Sequence, residues 1–283
     1  MLLTPVVLTV ADSLGLAMLP FALVVVWLAN TASLLLPVSN LTHLLALQRA
    51  QLPTLSFAGR MALPELAAVT VTVGYLGWRY RRDLAGGYRL PDVPAIPDRW
   101  TFWVTAAGCL ALAPAVVGGV TPWVAAVPAA LAAVVVFAFR DRAVLSLSLV
   151  PWRIVILTEG LFLVVSAAAR HGGSQLLGQL AGHSTWLTVA VAGVASNAAN
   201  NLPAYLAIEP IVPPGHHSQL LAALLGTNAG PLILLWGSLA TLLWRERCKA
   251  RGVQIPVRTF AAVGAVGVPL VLAASWATLM ITG

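Results

Sequence analysis

The chain has 283 residues, 59% of them hydrophobic and only 9% charged. A soluble domain carries roughly 25% charged residues, so this composition excludes a water-soluble protein and points to an integral membrane one. Sixteen Lys and Arg stand against nine Asp and Glu, but in so apolar a chain a basic excess marks the loops of one membrane face rather than a nucleic-acid partner.

At roughly 20 apolar residues per crossing, the length allows about seven spans and some re-entrant pieces in one membrane domain, residues 1–283. Residues 1 to 12 make half a span. Residues 18–47 form a long apolar segment broken at Ala29 to Ser33 and again at Pro37, Ser39 and Asn40. Residues 48–60, with Arg49 and Arg60, read as an interfacial segment, and 62–78 span again up to Trp78, Arg79, Tyr80, Arg81 and Arg82. The loop 83–99 is polar and proline-rich. Spans follow at 101–118, 122–138 and 152–168, the last entered through Arg140, Asp141, Arg142 and Pro151.

Residues 185–208 hold no charge, yet their middle carries Ser196, Asn197, Asn200, Asn201 and Pro203. Backbone within a bilayer satisfies its own hydrogen bonds, and a break is tolerated only where it is buried in protein or lines a wet cavity. The segment therefore reads as a re-entrant hairpin. Residues 216–244 form a second broken helix, interrupted at Thr227, Asn228, Ala229, Gly230 and Pro231; a basic loop at 245–258 precedes a final span at 256–278. With the hairpin counted as non-crossing, loops 79–100, 139–153 and 245–258 fall on one side and hold thirteen of the sixteen basic residues. The positive-inside rule places that side in the cytoplasm.

Matches recur at one offset: Pro5 with Pro203, Asn30 with Asn228, and Asn40-Leu41 with Ser238-Leu239, each pair 198 residues apart. A constant offset across hairpin arm, broken helix and following span signals an internal repeat. The expected fold is an all-α integral membrane protein with inverted repeats, re-entrant hairpins and broken helices, the plan of secondary transporters. Residues 1–82 form the end of the first repeat, 83–100 a cytoplasmic linker and 101–283 the second repeat. The same offset puts the start of the first repeat roughly 100 residues before Met1, so the first repeat is expected to be incomplete, from a late start or a fragment.

The stretches ANTASLLLPVSNLTHLL at 29–45, SNAANNLPA at 196–204 and GPLILLWGSLATLLW at 230–244 resemble the arsenite-efflux permease (ArsB) family of the ion transporter superfamily. The resemblance runs in order through nearly the whole chain, and GSLATLLW at 237–244 is its most specific piece. It implies an inner (plasma) membrane, multi-pass carrier that exports arsenite or antimonite in exchange for protons, with an ATPase subunit or a second copy as possible partners and no cofactor. The sequence departs from the family where Asn30 and Asn228 stand at positions that often carry Asp.

Near neutral pH arsenite is mostly the uncharged trihydroxide, so its site needs hydrogen-bond donors and acceptors rather than a counter-charge. Asn30, Thr31, Ser33, Ser39, Asn40, Ser196, Asn197, Asn200, Asn201, Thr227, Asn228, Gly230 and Ser238 are the candidate substrate-binding residues. The same side chains also serve as interhelical hydrogen-bond links. Glu159, eight residues into the span 152–168, is the candidate proton carrier, or a partner of Arg153; Asp12 and Glu65 read as interfacial. Trp78, Trp100, Trp103 and Trp244 read as membrane-interface anchors. No Cys or His spacing suggests a metal, and no GxSxG or HExxH motif suggests an enzyme. The alternatives are a carrier of another small oxyanion, a Na+/H+ antiporter of the same superfamily, or a non-transporting fragment that completes another chain.

Overall fold

The computed structural model describes residues 3–36, 39–85, 87–88, 98–117, 120–146 and 152–282. Among these residues every regular element is helical. The chain divides into two compact units, Met1–Leu90 with Ile154–Gly283, and Pro91–Arg153. The first unit begins with α1 (Leu3–Ser13), α2 (Met18–Thr31), α3 (Leu41–Ala50), α4 (Thr54–Arg79) and the single turn α5 (Arg81–Leu84). The second unit is the pair α6 (Arg99–Val117) and α7 (Pro122–Arg140). The first unit resumes with α8 (Trp152–Ala168), α9 (Ser174–Ala181), α10 (Thr185–Ala199), α11 (Asn201–Ile208), α12 (His217–Ala229), α13 (Leu239–Ala250) and α14 (Val257–Thr282).

Helices at Thr54–Arg79, Trp123–Arg140, Trp152–Ala181 and Val257–Thr282 are long and apolar enough to cross a membrane. At 1.5 Å per residue the 26 residues of α4 reach about 39 Å, more than the roughly 30 Å hydrocarbon core. In the second unit, Asp98 opens α6 by accepting from the amides of Trp100 and Thr101 at 3.1 and 3.2 Å and from the Thr101 hydroxyl at 2.6 Å. The Thr101 hydroxyl, more than any other neighbour, holds the Asp98 carboxyl below its usual range. Arg140, at the end of α7, meets the same carboxylate at 3.8 Å.

Some helix bounds of the first unit are spaced by about the same 198 residues. Shifted by that amount, the bounds of α2 and α3 fall within two residues of those of α12 and α13. The local chemistry repeats as well. Asn30 Nδ2 donates to the Val26 carbonyl at 2.8 Å, and Asn228 Nδ2 to the Leu224 carbonyl at 2.9 Å. Asn40 and Ser238 cap α3 and α13 from nearly the same extended conformation, φ −149° with ψ 146° and φ −144° with ψ 153°. Short side chains that accept from the first-turn amides are what an N-cap selects. Packing pairs recur with the copies exchanged: α1 lies on α13 as α11 lies on α3, and α2 on α4 as α12 on α14, while α4 and α14 pack on each other.

Close backbone approach sets the second copy. A Cβ added to Gly226 would lie 2.4 Å from the Val189 carbonyl oxygen, and one on Gly230 would lie 2.5 Å from Gly193 Cα. Gly226 and Gly230 stand four apart, the small-residue spacing that lets membrane helices touch. Gly264 of α14 lets Leu232 and Ile233 of the second break rest on it, since a Cβ there would lie 2.2 Å from the Leu232 carbonyl oxygen. Trp27, Phe57, Tyr205, Trp244 and Phe260 are the largest fully buried side chains.

Three expectations need correcting. Residues 54–60 are not interfacial but open α4, which takes Pro64 into its interior and runs unbroken to Arg79. Trp244 is not an interface anchor: it is fully buried and donates from Nε1 to the Ala22 carbonyl at 2.8 Å. Trp78, Trp100 and Trp103 are exposed as expected of anchors. Glu65 is part of the fold's interior wiring, described below. The expected break at Pro37 and most of the 83–99 loop lie outside the described residues.

Candidate functional site

Two helix breaks and one helix junction bring the polar residues together. In the first break, after α2, Thr31 donates to the Trp27 carbonyl at 3.0 Å and accepts from Thr72 of α4 at 3.2 Å. Ser33 donates to the Asn30 carbonyl at 3.1 Å. The Leu35 amide is held by the Glu65 carboxylate of α4. Glu65 lies twelve residues into α4 and takes up a donor that the break leaves orphaned, which is why a carboxylate sits there. Asn30, Thr31 and Ser33 thus bond within their own copy, and Ser39 is exposed.

The junction of α10 and α11 docks on the second break. Asn200 joins the two helices with φ 74° and ψ 152°, a left-handed φ that Asn accepts more readily than most residues. Its Nδ2 donates to the Trp236 carbonyl at 2.9 Å, and the Asn201 amide donates to the Gly237 carbonyl at 2.8 Å. Asn197 spans the break. Its Nδ2 donates to the Gly193 and Gly230 carbonyls, both at 2.8 Å, and its Oδ1 accepts from the amides of Ile233 and Leu234 at 3.2 and 2.9 Å. An amide side chain offers two donors and two acceptor lone pairs, so Asn197 is fully committed to backbone. Ser196, Thr227 and Ser238 bond locally, to the Ala192 and Ala223 carbonyls and to Thr241. Asn201 is buried yet makes no side-chain hydrogen bond among the described residues.

The start of α3 and the end of α12 meet at Asn228. Its Oδ1 accepts from Asn40 Nδ2 at 2.5 Å, and its Nδ2 lies 3.1 Å from His43 Nε2 and 3.3 Å from the Thr42 hydroxyl. Asn228, Thr42 and His43 are fully buried. His43 also packs its ring on Phe57, with centroids 5.7 Å apart. Thr42 and His43 were not among the residues expected from the sequence, and neither was the role of Glu65. Their signal was faint: two polar residues directly after the capping Asn40 and its neighbour Leu41, within the apolar run that follows.

Glu159, the expected proton carrier, is an exposed residue of α8. Besides the Glu65 carboxylate on the Leu35 amide, the polar side chains at the two breaks and the junction are amides, hydroxyls and one imidazole, and residues 32–40, 196–201 and 230–238 contain no Arg or Lys.

An all-α chain with membrane-length helices and buried polar side chains gathered at paired helix breaks belongs to the class of membrane transporters. The chain is a member of the citrate transporter family, CitMHS, whose sequence profile matches residues 1–225. It is 30% identical over 287 residues to the arsenical pump membrane protein of Yersinia enterocolitica, and 29% identical over 285 residues to that of Escherichia coli. Each alignment covers 90% of this chain and 66% of the relative. The chain thus spans about two thirds of the length of these relatives, and the likeness to the arsenite-efflux permeases stands.

Proposed function

We propose that the chain is a secondary active transporter of the inner (plasma) membrane that exports arsenite or antimonite in exchange for protons, built as two inverted repeats. The observation that carries the reading is that the breaks and the junction are lined mostly by amides and hydroxyls and contain no Arg or Lys. Arsenous acid has three hydroxyls, each a donor and an acceptor, and amides, hydroxyls and a neutral imidazole match it without a counter-charge. A tricarboxylate such as citrate would enter the same breaks without a single Arg or Lys to meet it, and desolvating several unpaired charges costs several kcal/mol each. The curated relatives bear the name of arsenical pumps, in line with the metalloid reading over the citrate name of the family.

In this reading Asn201 and the outer face of the Asn40 to Asn228 cluster receive the substrate, while Asn197 holds the second break in shape. Loops 79–100, 139–153 and 245–258 face the cytoplasm. The test is resistance: cells lacking their own arsenite exporter gain tolerance to arsenite when they express the chain, and Asn228→Ala removes that gain at unchanged membrane abundance. Tolerance that survives Asn228→Ala, at normal abundance, would assign the cluster to packing alone.

A further inference from the structure

We propose that His43, acting through the Asn228 amide, is the proton switch that couples the two repeats; the proposal rests on the reading of the chain as a proton-driven transporter. The hydrogen-bond senses around Asn228 are fixed by one pure acceptor. The Leu224 carbonyl accepts at 2.9 Å, so the atom facing it is the nitrogen, and the other atom, turned to Asn40 Nδ2 at 2.5 Å, is the oxygen. The second proton of Asn228 Nδ2 is then shared between His43 Nε2, 3.1 Å away, and the Thr42 hydroxyl oxygen, 3.3 Å away. The contact with the ring is a hydrogen bond only if Nε2 carries a lone pair, which makes His43 a neutral ring with its proton on Nδ1.

A proton added to Nε2 turns the contact into N–H against N–H. Turning the Asn228 amide over offers its oxygen to Nε2–H, but that sets the oxygen against the Leu224 carbonyl and the nitrogen against Asn40 Nδ2. Protonated His43 therefore works against the Asn40 to Asn228 bond. That bond joins the start of α3 in the first copy to the end of α12 in the second. Loading the proton parts the two breaks, and releasing it lets them close.

The surroundings isolate the His43 ring. The ring is fully buried against Phe57 of α4, its Nδ1 has no hydrogen-bond partner among the described residues, and the Leu36 carbonyl lies beside it. α11 and α12 both pack on α3. On α11 the titratable side chain is Tyr205, whose charged neighbours are Glu209 and Arg49; on α12 it is His217, at the opposite end from Asn228. On α4, Glu65 is engaged by the Leu35 amide, and Arg60 precedes it by five residues. None of these side chains bonds to the ring.

Two readouts test the switch on the full chain in lipid bilayers. Nitrogen-15 NMR of the histidine rings, with the His43 signal identified by its loss in His43→Gln, should show the Nδ1–H tautomer at neutral pH. On acidification the Asn228 carboxamide should shift with the same midpoint as the ring. An Nε2–H tautomer, or an Asn228 signal that ignores the titration, overturns the switch whether or not the chain moves arsenite. In vesicles, an imposed pH gradient should accelerate arsenite flux through the parent and leave flux through His43→Gln, whose side-chain oxygen still accepts from Asn228, unchanged. A variant that keeps that acceleration overturns the proposal. A parent chain with no arsenite flux defeats the transport reading instead, and the NMR result then decides the switch alone.

Discussion

Replacing Asn197 with Ala separates a side chain that holds the fold from one that serves the substrate. The substitution leaves the Ile233 and Leu234 amides without their acceptor and removes one donor from the Gly230 carbonyl, which keeps the Leu232 amide at 2.8 Å. An unsatisfied buried donor costs about 1–3 kcal/mol. Because Ile233 and Leu234 are only half-buried, the lower half of that range applies, and the two together cost about 2–4 kcal/mol. At about 2–4 °C per kcal/mol, the melting midpoint in detergent should fall by about 4–16 °C and membrane abundance should drop with it. Asn201→Ala is the companion. It keeps the backbone amide bonded to the Gly237 carbonyl and deletes a side chain with no hydrogen bond among the described residues, so midpoint and abundance should hold while arsenite tolerance is lost. The reasoning fails if Asn197→Ala melts with the parent, or if Asn201→Ala melts as low as Asn197→Ala.

Gly226→Ala should abolish accumulation in the membrane, because its Cβ would meet the Val189 carbonyl oxygen at 2.4 Å and the Ala192 Cβ at 2.5 Å. Gly74→Ala meets nothing within 4 Å and should be neutral or stabilising by up to about 1 kcal/mol; immunoblotting of membranes compares the two, and equal abundance would contradict the close crossing of α10 and α12. A Cys at Gly252 should stay unreactive to an impermeant reagent added outside intact cells, and labelling there would reverse the assigned orientation and with it the hairpin at 185–208.

Much of this architecture was legible before the structure, because breaks inside apolar runs carry specific chemical demands. Asn40 and Ser238 could be matched at one offset since both must cap a helix, a task few residue types perform. Asn30 and Asn228 matched because both donate back to a carbonyl one turn earlier. What the sequence hid was the division of labour among the asparagines. Asn197, Asn200 and Asn201 look alike in SNAANNLPA, and only their partners show that Asn197 is spent on backbone while Asn201 is not. His43 was passed over because a lone histidine in an apolar run has no local signature, and its partner lies 185 residues away. Glu65 was misread for a related reason: Arg60 and Pro64 look like a span boundary, yet α4 had already begun at Thr54. Trp244 reads as an anchor by its neighbouring arginines, whereas its indole turns inward to Ala22.

The most direct test of the proposed activity is uptake into everted membrane vesicles carrying the chain, with a pH gradient imposed and arsenite and citrate offered together. Arsenite should accumulate, excess citrate should not compete, and a protonophore should abolish the accumulation. Uptake of citrate with arsenite excluded, or arsenite uptake indifferent to the protonophore, would contradict the account.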